Sequence, residues 1–126
     1  MMKILFNIVL LISKLPLKVL YLFSDVLFVL NFYIFGYRKA IVLTNLKKSF
    51  PEKSDDEILK IRKQFFRNLS DYIVETIKSF TISAHELKVR VQHINQEVFH
   101  EANADGKNMI LLCGHVFNWE WITALA

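Results

Sequence analysis

The chain has 126 residues, room for one ordinary domain, and its single cysteine excludes an internal disulfide framework. A hydrophobic content of 53% with positive mean hydropathy is high for a soluble protein. The net charge of +4 is modest, so its placement says more than its size.

Residues 1–37 hold three lysines (Lys3, Lys14, Lys18) and one acid, Asp25, in an otherwise apolar stretch. The start has a lysine and an apolar run, yet no small-residue cleavage site follows, so it is not read as a secretory signal. Lys14, Pro16 and Lys18 interrupt the run, and a second one extends from Val19 to Phe35. Its 17 residues are at the short end for crossing a bilayer, and it carries Asp25 and Asn31. Gly36 and the interfacial cluster Tyr37-Arg38-Lys39 close it. Residues 1–37 are therefore expected to anchor the chain, with 38–126 as its body. Lysines at both ends give no orientation, and a monotopic anchor on the cytosolic face is favoured over a full span.

From Arg38 to Arg67 nine basic residues stand against four acids. A basic segment directly after an apolar anchor meets anionic lipid headgroups, and the anchor makes lipid rather than nucleic acid its partner. "RKAIVLTNLKKSF" predicts a helix ended by Pro51. Ser54 and Glu57 then have capping-box spacing, predicting a helix start. Ile58, Ile61, Phe65, Leu69, Tyr72 or Ile73, Thr76 or Ile77 and Phe80 repeat at helical period beyond it. Lys60, Lys63 and Arg67 run beside that face, as a solvated stripe or a surface leaning on headgroups.

After Phe80 the period changes. Leu87, Val89 and Val91 alternate with Lys88, Arg90 and Gln92, which predicts a half-buried strand. "NQEVFHEANADG" predicts a short helix with Gly106 as its left-handed stop. "NMILLC" is a continuous apolar run suited to a strand covered on both faces, and Trp119 begins another helix. Strand, helix, strand, helix is the opening of a βαβ unit, so the expected class is α/β, incomplete. A parallel sheet of two strands cannot bury both faces, and the chain is expected to be the N-terminal part of a longer, truncated domain, inactive as that fragment alone because half a sheet cannot shape a groove.

The chemistry is expected where "MILLC" runs into "GHVFNWEW". In open α/β sheets ligands gather at the carboxyl edge of the strands, and His115 is predicted there, just past Cys113. Gly114 removes a side chain and lets a substrate approach. Imidazole accepts a proton near neutral pH, so His115 can be the general base for a hydroxyl, with Glu120 holding its other nitrogen. The substrate's own alcohol is then the nucleophile. His100 and Asp105 share the five-residue spacing, but on one continuous helix they lie ~140° apart, so that pair is set aside. Asn118 is the expected N-cap of the last helix, with Glu120 in its first turn. The bland readings are a carboxylate stabilising a helix N-terminus and a hydrogen-bonded loop histidine. Cys113 as a nucleophile is a minor alternative, since a strand interior buries it as a small hydrophobe. One of Trp119 and Trp121 is expected in the core, the other along a groove or the membrane interface. His85, His93 and His100 fall on different elements and offer no ligand set, so no metal is expected from them.

"GHVFNWEW" after "ILLC" resembles the His-x-x-x-x-Asp/Glu block of the bacterial lipid A biosynthesis acyltransferases, the lauroyl and myristoyl transferase family. "LPLKVLYLFSDVLFVLNFYIFGYRKAIVLTNLKKSFPE" is similar to that family's anchor, its Gly-Tyr-Arg step and its Asn-Leu…Phe-Pro-Glu segment. The resemblance spans nearly the whole chain in the right order. It implies an inner-membrane enzyme, working at the cytoplasmic face, that moves a fatty acyl chain from acyl carrier protein to a hydroxyl of a lipid A precursor. It also implies His115 as base and Glu120 as its partner, 38–126 as the N-terminal part of a lysophospholipid-acyltransferase-like domain, and a thioester chemistry that needs no cofactor or metal. Relatives acting on other glycolipids or phospholipids share the block, which leaves the acceptor open. A membrane-anchored interaction protein with a basic lipid-binding helix is the alternative from another class.

Overall fold

The computed structural model describes residues 2–92, 94–104, 106, 110, 112, 114, 116 and 118–123. The chain divides into two compact units, Met1–Thr81 and Ile82–Ala126. The first holds α1 (Met2–Ser13), α2 (Leu17–Val29), a π-helical continuation of α2 (Leu30–Phe35), α3 (Lys39–Ser49) and α4 (Asp55–Lys78). The second holds α5 (Ala84–Arg90), α6 (Gln96–Ala104) and α7 (Trp119–Thr123).

Helix α4 is the spine of the first unit, and its start is local chemistry. The Ser54 hydroxyl accepts from the Glu57 amide at 3.4 Å, while Glu57 Oε2 accepts from the Ser54 amide at 2.9 Å. Two orphan donors are satisfied reciprocally, with Asp55, Asp56 and Glu57 in the first turn opposing the helix dipole. Ser54→Ala should therefore cost about 1 kcal/mol in denaturant unfolding. The Ser54 backbone hydrogen bond, then its hydroxyl, holds the Glu57 carboxyl below its ordinary 4.5. A depressed folded value gives stability that is full above pH 4.5 and is lost as pH falls through the folded value. Glu57→Gln should flatten that acidic limb of the stability profile; an unchanged limb would assign it to other carboxyls.

Helix α2 lies antiparallel along α4, and the bonds between them descend in register. Tyr21 donates to Glu75 at 2.7 Å, Ser24 to Asp71 at 2.5 Å, and Arg67 pairs with Asp25 at 2.5 Å. Beyond them Phe28, Phe32 and Phe66 form an aromatic core, with Val42 of α3 and Leu69 packed against it. Asp25, a misfit in the apolar run, thus has a partner 42 residues away. Ser24 and Ser70 are buried between the helices, where small side chains allow close approach; Ser70 satisfies its hydroxyl on the Phe66 carbonyl at 3.0 Å.

The inward stripe of α4 is Ile58, Phe66, Ser70, Val74 and Lys78, one position off the apolar stripe expected beyond Ile58. Phe65, Ile73 and Phe80 are instead substantially exposed. Lys78 is buried, and its ammonium donates to the carbonyls of Ser13 and Leu15, while the Thr81 hydroxyl also donates to Ser13. The carbonyl end of α1 and the turn into α2 are thereby tied to the end of α4. Lys78→Met should cost about 1.5–3 kcal/mol, the range of charge-assisted bonds. An unaltered unfolding midpoint would mean that those carbonyls find water instead.

The π-helical turn ends at Gly36, whose amide donates to the Asn31 carbonyl at 2.8 Å. Gly36 has φ +62°, a left-handed conformation that costs a glycine least. Arg38 follows with φ +55° and stacks its guanidinium over Tyr37.

The α/β expectation is overturned: the described residues are predominantly helical and none lies in a strand, so there is no βαβ unit. The segment read as a strand through Leu87, Val89 and Val91 is helix α5 up to Arg90. Ser83 caps it, accepting from the Glu86 amide at 3.1 Å, and Arg90 pairs with Glu86 one turn back. Leu87 is buried but Val89 is 66% exposed, so the alternation never formed one buried face. Of the run 108–113, Ile110 and Leu112 are described; neither is in a strand and both are exposed, while the rest lies outside the described residues. The expected helix before Gly106 is present as α6, and Gly106 is left-handed at φ +65°.

Candidate functional site

Helix α7 places the acidic member of the expected pair. The Trp121 amide donates to the Asn118 carbonyl at 3.1 Å, so the helix begins at the expected cap position. Glu120 sits in its first turn, half-buried, where a carboxylate is favoured by the helix dipole. Trp121 is buried at 6% exposure, and Trp119 is only partly covered. Just upstream the Val116 amide donates to the Gly114 carbonyl at 2.8 Å. Among the described residues, a methyl group on Gly114 would meet Val116 Cγ2 at 3.5 Å, an ordinary contact. His115, Cys113 and Asp105 lie outside the described residues. The sheet edge expected to present His115 is absent from the described residues: Gly114 and Val116 lie in no strand, and helix α7 begins at Trp119.

The remaining histidines stand apart from this segment in sequence. His85 on α5 and His100 on α6 are exposed, and His93 lies outside the described residues. No group of three His, Cys, Asp or Glu among the described residues is arranged to hold a metal ion.

A second constellation, in the first unit, was only half visible in the sequence. Lys39 Nζ donates to the Phe32 carbonyl at 2.9 Å and lies 4.5 Å from the centre of that ring. The Arg62 guanidinium is 5.8 Å from the same centroid, and Arg67 stacks over Phe28 at 5.4 Å. Aromatic faces attract cations, so the end of the α2–α4 hairpin gathers positive charge next to apolar surface. The cluster Tyr37-Arg38-Lys39 signalled this end in the sequence; Arg62 did not stand out from the neighbouring charges.

By length and composition, Leu17–Phe35 is one helix of 19 residues apolar enough to cross a membrane. Its side away from α4 is exposed at Leu22, Phe23, Val26 and Val29, and α1 exposes Ile4, Leu5, Ile8 and Leu11. Contiguous apolar surface of this kind marks a membrane or protein contact.

The chain matches the sequence model of a family described as bacterial lipid A biosynthesis acyltransferase over residues 2–125. No curated protein and no solved structure matches it. The match takes in the apolar helices, the capped α4 and the segment from Gly114 to Trp121 alike, and on that extent the chain belongs to the bacterial lipid A biosynthesis acyltransferase family.

Proposed function

We propose that the protein is a membrane-bound O-acyltransferase that moves a fatty acyl chain from acyl carrier protein to a hydroxyl of a lipid A precursor. The observation that carries this reading is the family match across residues 2–125, which includes the Gly-His and Glu120 segment. His115 takes the proton of the acceptor hydroxyl as its oxygen attacks the thioester carbonyl. Glu120 holds the imidazole and stabilises its protonated form. The tetrahedral intermediate collapses to the new ester, and the carrier's thiolate leaves, taking up the proton from His115. Residues 1–37 hold the enzyme at the cytoplasmic face of the inner membrane, where both lipid substrates meet it, and 38–126 contribute the reacting domain.

The reading is supported by the half-buried carboxylate in the first turn of α7 and by the exposed apolar surface of α1 and α2. It is tested with membranes carrying the protein, supplied with acyl–acyl carrier protein and a lipid A precursor. The expected product is the precursor heavier by one ester-linked acyl group. Transfer that proceeds only from a different thioester carrier would remove acyl carrier protein from the scheme. Esterification of another lipid in preference to the precursor would remove lipid A as the acceptor.

A further inference from the structure

We propose that α1 and α2 lie in the plane of an anionic phospholipid surface, half-inserted, and that Leu17–Phe35 does not cross the bilayer. The inference rests on the membrane attachment proposed above and adds its geometry. The helix is long enough to cross: 19 residues rise ~28 Å, close to the hydrocarbon thickness. Its bonding argues against crossing. The middle of such a span would be Asp25, paired with Arg67, flanked by the Ser24–Asp71 and Tyr21–Glu75 bonds. Because α4 runs antiparallel beside it, Arg62, Arg67, Asp71, Glu75 and Lys78 would have to enter the hydrocarbon with it. Ionised side chains at that depth are costly, and α4 exposes further charges such as Lys60 and Lys63.

Laid in the plane, the same hairpin meets both solvents correctly. Leu22, Val26 and Val29 stand ~140–160° around the helix from Ser24, which faces α4. That side is apolar and exposed, and α1 adds Ile4, Leu5, Ile8 and Leu11. The charged helix α4 then stays toward water or the headgroups. The charge along this face fits an anionic surface. Lys3, Lys14, Lys18, Arg38 and Lys39 are the cations of residues 1–39, and the one acid there, Asp25, is held by Arg67. Lys39 and Arg62 converge on the Phe32 ring where the apolar turn ends, so two positive charges meet the headgroup layer together. An amphipathic pair with a basic rim is the form of an interfacial anchor.

The two geometries place Lys14 and Tyr37 differently: on one side of the membrane if α2 lies flat, on opposite sides if it crosses. Both residues are exposed, so cysteine there leaves the core alone, Tyr37→Cys giving up only the ring under Arg38. Lys14→Cys and Tyr37→Cys, each with Cys113→Ala, are expressed in cells and sealed everted membrane vesicles are prepared. They are labelled with a membrane-impermeant maleimide before and after detergent. The expected result is that both positions label alike before detergent. One position protected until detergent is added would show a span and overturn the inference. Protein recovered in the soluble fraction would instead defeat the anchor reading itself, a distinguishable failure. Purified protein should also float with vesicles containing phosphatidylglycerol at least ~10-fold better than with phosphatidylcholine alone. Equal flotation with both would overturn the anionic surface as its partner.

Discussion

His115→Ala is expected to lower kcat/KM for acyl transfer by about 10³- to 10⁴-fold, with membrane attachment unchanged. The size follows from what a positioned base supplies: general base catalysis contributes about 10²–10⁴-fold, and losing the central member of a triad costs at the upper end. A lipid hydroxyl is a poor nucleophile until its proton is taken, and alanine offers nothing to take it. Glu120→Gln keeps the shape of the side chain but not its charge, so it should fall in the same direction by a smaller factor. These outcomes are read from initial rates with saturating thioester, alongside far-ultraviolet circular dichroism to show that the helices persist. Turnover within a few-fold of wild type would remove His115 from the chemistry. Glu120 would then be left with the dipole-stabilising role that its place in the first turn of α7 already explains.

The sequence conveyed this molecule unevenly, and the reason is the range over which each signal acts. The start of α4 was legible because Ser54 and Glu57 satisfy each other's backbone within three residues, with no help from the rest of the chain. The same signature stands at Ser83 and Glu86, yet the alternation from Leu87 to Val91 concealed it. A local cap fixes backbone donors directly, whereas alternation needs a neighbouring strand to have any consequence. The facing side of α4 was harder still. Ser70 and Lys78 are buried for reasons lodged in α1 and α2, while Phe65 and Ile73 are more exposed than their hydrophobicity suggests. The partner of Asp25 lies 42 residues away, beyond any periodicity. At the candidate site, the start of α7 after Asn118 and the place of Glu120 in its first turn were readable from the residue types that favour a helix start. The surroundings of His115 were inferred from a strand that the described residues do not contain. The family was legible because its signals are spread through the whole chain and did not depend on the class of secondary structure assigned to any one of them.

Phe66→Ala should cost about 3–5 kcal/mol, a large part of the 5–15 kcal/mol that stabilises an ordinary domain. Phe66 is 1% exposed and packs edge-on against Phe32, with ring centroids 5.7 Å apart, inside the cluster that joins α2 to α4. Truncation removes the transfer energy of the ring and leaves a cavity among Phe28, Phe32 and Leu69 that helices tied by the Asp25–Arg67 and Ser24–Asp71 bonds cannot easily close. Phe65 supplies the control. It is the same residue type, next in the chain and on the same helix, but 43% exposed, so Phe65→Ala should cost only roughly 1 kcal/mol, mostly its edge contact with Phe66. Urea unfolding of both variants, followed by circular dichroism in a mild detergent that covers the apolar face of α1 and α2, measures the difference. A larger loss at Phe65 than at Phe66 would mean that α4 turns toward α2 the stripe expected from periodicity alone. The Tyr21–Glu75 and Ser24–Asp71 bonds would then have to be abandoned with it, because a helix rotated by one residue moves each α4 carboxylate ~100° away from α2.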